Sequence, residues 1–117
     1  MENKNAKKEE IIRERAAAFI ETVTNKTSLI TVTSVRLYEK DRKADILVTV
    51  LPESGEEAAL NFLKRQRKEM RDYIKKGFPF HTIPFIDTMI DKGEKARQTI
   101  DALLAQDAPR LTGEDKE

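Results

Sequence analysis

No cysteine occurs among the 117 residues of this chain, which excludes a disulfide framework and all thiol chemistry and agrees with a reducing compartment. There is one histidine, His81, and no serine stands in a nucleophile-elbow context, so a nucleophile with an orienting base cannot be assembled. Between Pro79 and Pro84, His81 reads as a loop residue. The four glycines are isolated from one another, which leaves no phosphate-cradling loop. Carboxylates are plentiful but scattered over helix faces without metal-ligand spacing. No apolar run approaches the roughly 20 residues needed to span a bilayer, and the opening MENKNAKKEE is too charged for a signal peptide. These absences lead to the expectation of a cytoplasmic non-enzyme with no cofactor, no metal and no membrane partner.

What is present is a periodic chain. Its length fits one domain, close to the minimum for a proper core. Ala44, Ile46, Val48 and Val50 alternate with Asp45, Leu47, Thr49 and Leu51, the period of a strand with one buried face. Before them Ile30 and Val32 are out of step with Val35 and Leu37 by one residue, which predicts a β-bulge near Thr33 and Ser34. Glu39 to Lys43 makes the turn of a β-hairpin, whose apolar side needs helices to cover it.

Those helices are legible on both sides. From Lys7 to about Thr24, Ile12, Ala16, Phe19, Ile20 and Val23 form one helical stripe, with Asn25 and Lys26 ending it. Ser54 and Glu57 have capping-box spacing before a second helix, whose stripe of Ala59, Leu60, Leu63, Met70 and Ile74 ends at Gly77, a residue tolerant of positive φ. Gln66 and Arg67 interrupt this stripe, which predicts a kink or short break within two residues of Arg67, with Arg67 and Lys68 exposed. A third strand follows Pro84. Asp91 and Glu94 repeat the capping spacing before a short last helix marked by Ala96, Ile100, Leu103 and Leu104. The expected organisation is a flexible 1–6, a folded domain over 7–105 and a disordered tail over 106–117, in the order α-β-β-α(α)-β-α.

The net charge of +1 says little, but its distribution is segregated. From Asn61 to Gly77 seven bases face two acids, whereas acids outnumber bases from Phe78 onward. At 100° per residue Lys64, Lys68, Arg71 and Lys75 share an arc of about 60° beside the apolar stripe. Arg67 lies at its core-side edge, and Arg65 and Lys76 on the far side. A basic ridge of this kind is either a solvated face or a phosphate-binding one. Arg42 and Lys43 at the hairpin tip are surrounded by Glu39, Asp41 and Asp45. No surface aromatic is interleaved with the ridge in sequence, so base stacking has no support there.

The runs Val32-Thr33-Ser34-Val35-Arg36-Leu37, Ala44-Asp45-Ile46-Leu47-Val48-Thr49-Val50-Leu51 and Met70-Arg71-Asp72-Tyr73-Ile74, then Ile83-Pro84 with a strand ending in Asp91, and Ile100, Leu103 and Leu104 together resemble the ribosome-binding factor A family. The resemblance runs from about Lys7 to Leu104. It implies an α+β fold, a KH-like domain of the second type: α-β-β-α-α-β with a three-stranded mixed sheet covered by helices on one face, plus a short C-terminal helix. It also implies a non-catalytic factor that binds ribosomal RNA of the small ribosomal subunit and acts in late maturation and cold adaptation. The nucleic-acid-binding candidates, read from the charge pattern, are Lys64, Arg65, Arg67, Lys68, Arg71, Lys75, Arg42 and Lys43, and a monomer is expected. Where the family usually has Ala-x-Gly at the kink, this chain has Gln66-Arg67-Lys68. After the third strand, only Asp91 of its Asp-x-Ser-x-x-x-Gly remains. The alternative reading is a KH-like protein-interaction or dimerisation module without RNA binding. A salt titration separates the two, since phosphate contacts weaken steeply with salt.

Overall fold

The computed structural model describes the backbone of residues 4–24 and 28–116, with side chains described from 6 to 105 outside 25–27. Eight elements follow in order: α1 (Lys4–Val23), β1 (Leu29–Tyr38), β2 (Lys43–Leu51), a 3-10 turn (Glu53–Gly55), α2 (Glu56–Arg65), α3 (Arg67–Lys76), β3 (Phe85–Ile90) and α4 (Lys92–Lys116). This is the expected α+β order. The three strands lie in the order β1-β2-β3, with β1 antiparallel to β2 and β2 parallel to β3, so the sheet is mixed.

The bulge falls where the phase of the apolar residues changes. Val32 pairs with Val48 and Ser34 with Leu47, which leaves Thr33 unopposed and lets Val32 and Val35 both turn inward, each buried. One face of the sheet, through Ala44, Ile46, Val48, Val50 and Ile86, meets Ile12, Ala16, Phe19 and Ile20 of α1, Ala59 and Leu63 of α2, and Met70 and Ile74 of α3 in a single core. The hairpin turn holds Glu39, Lys40 and Asp41 at positive φ, and Asp41 is tied to Lys8 of α1 at 3.0 Å.

Several local readings change. α1 starts at Lys4 rather than Lys7; residues 1–3, within the flexible segment expected, and Asn25 and Lys26, expected to end the helix, lie outside the described residues. Ser54 does not form the capping box, because a 3-10 turn precedes α2 and neither element has a side-chain cap. Gly77 has φ −109°, so it does not supply a left-handed turn. Its requirement is space: a Cβ there would stand 2.5 Å from Nε of Arg15, a side chain that lies over the Tyr73 ring and donates to the Tyr73 carbonyl. The last helix is not short. Its backbone continues to Lys116, past the end of the apolar period at Ala105. The side chains of the tail expected to be disordered lie outside the described residues.

Asp91 joins three parts of the fold. Its backbone N–H donates to Val48, and one carboxylate oxygen accepts from the Glu94 N–H as the cap of α4. The other accepts from the hydroxyl of the bulge residue Thr33. The Thr33 bond, followed by the Glu94 N–H, holds the Asp91 carboxyl below its ordinary value of 3.8. A depressed carboxyl stabilises the fold fully above its unfolded value and loses that contribution as pH falls through the folded one. Asp91→Asn is therefore expected to unfold at lower urea than wild type at neutral pH, with the gap closing in acid below pH about 3.8. A gap independent of pH would contradict this account.

Candidate nucleic-acid interface

The site begins at the break between α2 and α3. Gln66 sits at φ −92°, ψ 5°, its N–H shared between the Phe62 and Leu63 carbonyls at 3.1 Å, and helical bonding resumes from Met70 to Gln66 at 2.9 Å. Since φ stays negative, no glycine is needed for this bend. The bend turns Leu63 and Met70 into the core while keeping Gln66 and Arg67 out of it, each half-buried. A charge forced into the stripe would cost several kcal/mol.

Arg67 and Arg71 then hold β3. Arg67 donates to Asp87 at 3.3 Å and lies 4.9 Å from the centre of the Phe85 ring. Asp87 also accepts from the N–H of Thr88. Arg71 donates to the carbonyls of Ile83 at 3.0 Å and Pro84 at 3.1 Å, which fixes the loop leading into β3.

The basic candidates thus divide. Lys64, Arg65, Lys68 and Lys75 are exposed, and Lys68 shares only a surface pair with Asp72, so these four remain available to a ligand. Arg71 and Arg67 are half-buried and bonded within the fold. This corrects two expectations: Arg71 is not part of an open ridge, and Arg67, 37% exposed at its side chain, is not simply solvent-facing. Arg42 and Lys43 are exposed and stand nearer to the break than the sequence implies. The Phe85 N–H donates to the Arg42 carbonyl, and Lys43 is the register partner of Phe85, the ring that Arg67 covers.

The aromatic missing from the linear sequence of the ridge comes from β3. Phe85 is 51% exposed and Tyr38, at the end of β1, is 39% exposed. The Tyr38 hydroxyl donates to Asp45 at 3.2 Å; burial first, and then the Asp45 charge, push the Tyr38 phenol up. His81 is an exposed loop residue. Among the described residues no group of His, Cys, Asp and Glu could hold a metal ion, and no helix is long and apolar enough to cross a membrane.

The family model of ribosome-binding factor A matches residues 4–104, nearly the whole folded region and the break with it. The chain belongs to the ribosome-binding factor A family. Ribosome-binding factor A from Thermus thermophilus is similar in its crystal structure, with a TM-score of 0.66 and 22% identity over 74% of this chain and 94% of that one. Coordinates of the Thermus thermophilus factor fitted into a cryo-EM map of a 30S complex give a TM-score of 0.59 at 21% identity, over 68% and 86%. At these identities the likeness is one of fold. No curated protein is a significant match to the chain. The fold shared with ribosome-binding factor A agrees with the three-stranded mixed sheet and the element order.

Proposed function

We propose that this ribosome-binding factor A family member is a non-catalytic cytoplasmic protein that binds ribosomal RNA of the small ribosomal subunit and assists late maturation. The observation that carries this reading is the family match across residues 4–104. The relative fitted into a 30S complex supports the choice of subunit. The exposed Lys64, Lys68 and Lys75 on α2 and α3 supply mobile, strongly hydrated charges suited to phosphate contact, which positions a protein on RNA without reading bases. Arg65 flanks this surface, and Arg42 and Lys43 at the hairpin are exposed as well. The test is sedimentation of the tagged protein with ribosomal subunits from a lysate. Co-migration with the small subunit is expected; migration free of it overturns the reading.

Reversing Lys64, Lys68 and Lys75 to Glu together is expected to weaken small-subunit binding at least tenfold and to flatten its salt dependence, because each lost phosphate contact removes about 0.7–0.9 from the logarithmic salt slope. Exposed pairs such as Lys68 with Asp72 contribute about 0–1 kcal/mol, so the urea midpoint should hardly move. Arg71 is left out of this variant because it anchors the Ile83–Pro84 loop. Unchanged binding would remove the ridge from the interface.

A second reading, a protein-interaction or dimerisation module, is favoured by Ile100, Leu103 and Leu104, which stand on one side of α4 at 54–60% exposure. Sedimentation equilibrium separates the two: a monomer is expected, and a stable dimer would favour the second.

A further inference from the structure

A second surface lies on the sheet face turned away from the core. Ala44, Ile86 and Leu37 pack on the helix side, so their strand neighbours Lys43, Phe85 and Tyr38 point the other way. Tyr38 pairs with Lys43, and Lys43 with Phe85. The three therefore form one row across all three strands, with an exposed lysine between two exposed rings, the rings about 10 Å apart at two strand spacings. Both rings are held in place. The Tyr38 hydroxyl is bonded to Asp45, and one side of Phe85 is covered by the Arg67 guanidinium.

The charges around this row favour an anion. Asp45 is 5% exposed, lying beneath Arg36, which it binds at 3.1 Å, and beneath Tyr38. Asp87 is joined to Arg67, Asp41 to Lys8 and Glu39 to Lys43 at 3.9 Å. Each acid near the row is thus matched by a base, and Arg42, exposed at its edge, makes no ion pair among the described residues. Flat rings alternating with cations are what unpaired bases and their phosphates require: every base has a face that can stack, and the cations follow the backbone. A duplex hides its base faces and cannot use the rings.

We propose that this row, Tyr38, Lys43 and Phe85 with Arg36, Arg42 and Arg67 at its margins, is a stacking platform for a single-stranded RNA segment, distinct from the lysine ridge. The inference rests on the reading of the chain as an RNA-binding factor and adds how unpaired bases are held. Tyr38 and Phe85 carry the bases, and Lys43 lies between them for the intervening phosphate.

The test uses fluorescence anisotropy with the full chain, a labelled unstructured uridine oligonucleotide and an RNA duplex of equal length. Tyr38→Ala and Phe85→Ala are each expected to weaken the single strand about tenfold, leaving the duplex within twofold. Tyr38→Phe and Phe85→Tyr, which keep a ring, should stay near wild type, and Phe85→Leu, which keeps apolar bulk without a π face, should behave as Phe85→Ala. Circular dichroism reports the fold of each variant. Equal losses on both RNAs, retention of single-strand binding in the alanine variants, or a wild type that does not bind the oligonucleotide would each overturn the platform. A surface serving a protein partner instead gives the second of these outcomes. Small-subunit sedimentation on the same samples keeps the two readings apart. A wild type that sediments with subunits yet ignores the oligonucleotide loses only the platform, whereas one that does neither loses both.

Discussion

Replacing Arg71 with alanine is expected to lower stability by about 2–3 kcal/mol, while Lys68→Ala changes it by less than about 0.5 kcal/mol. The two residues lie three apart on α3 and look interchangeable in sequence, but their surroundings differ. Lys68 is 84% exposed at its side chain with only Asp72 nearby. Arg71 directs Nε and Nη2 at the carbonyls of Pro84 and Ile83, and both of those residues are buried. Without the guanidinium, two carbonyls in a buried loop lose a charged donor, and each such loss costs roughly 1–3 kcal/mol before water repairs part of it. Arg71→Lys should fall between wild type and alanine, because one ammonium cannot reproduce the planar fork. Urea denaturation of the three variants checks the order. An Arg71→Ala midpoint equal to that of Lys68→Ala would mean that the loop holds itself.

The same contrast shows why the fold was legible in the sequence and half of the site was not. Strand alternation, the phase slip at Thr33 and the polar gap at Gln66–Arg67 are local patterns, fixed by backbone periods of two and 3.6. Each maps onto an element or a break in the structure. The Asp91 cap was readable for the same reason, since donor and acceptor lie three residues apart. At three positions the deciding partner is distant in sequence. Arg71 finds acceptors 12 and 13 residues away, Arg67 finds Asp87 20 residues away, and Gly77 is constrained by Arg15 from α1. The Tyr38–Lys43–Phe85 row is invisible in the linear chain because it crosses three strands, one of them parallel. The Thr33–Asp91 bond spans 58 residues, so the bulge could be read from the sequence but the use made of it could not.

Met70→Ala is expected to be the most damaging single substitution considered, costing about 3 kcal/mol within the usual 2–5 kcal/mol for a buried Met. Met70 is fully buried, as are Leu63 on the other side of the break and Ile74 one turn further along α3. Its N–H carries the bond to Gln66 that restarts the helix, so the residue both crosses the bend and fills the core beneath it. Alanine keeps the backbone bond and raises helix propensity slightly, which isolates the packing loss: apolar contact disappears and the space beneath the bend can collapse only in part. For a domain of this size the melting temperature should fall by roughly 10 °C or more. Met70→Leu, nearly equal in volume, should cost less than about 1.5 kcal/mol. Well below the melting point Met70→Ala should still bind small subunits close to wild type, because its side chain is in the core and Lys68 and Lys75, proposed above to contact phosphate, are on the outside of the same helix. A loss under about 1 kcal/mol would show that α2 and α3 do not depend on shared packing beneath the break. A stable Met70→Ala protein that no longer bound subunits would instead show that the ridge needs the angle between the two helices held tightly.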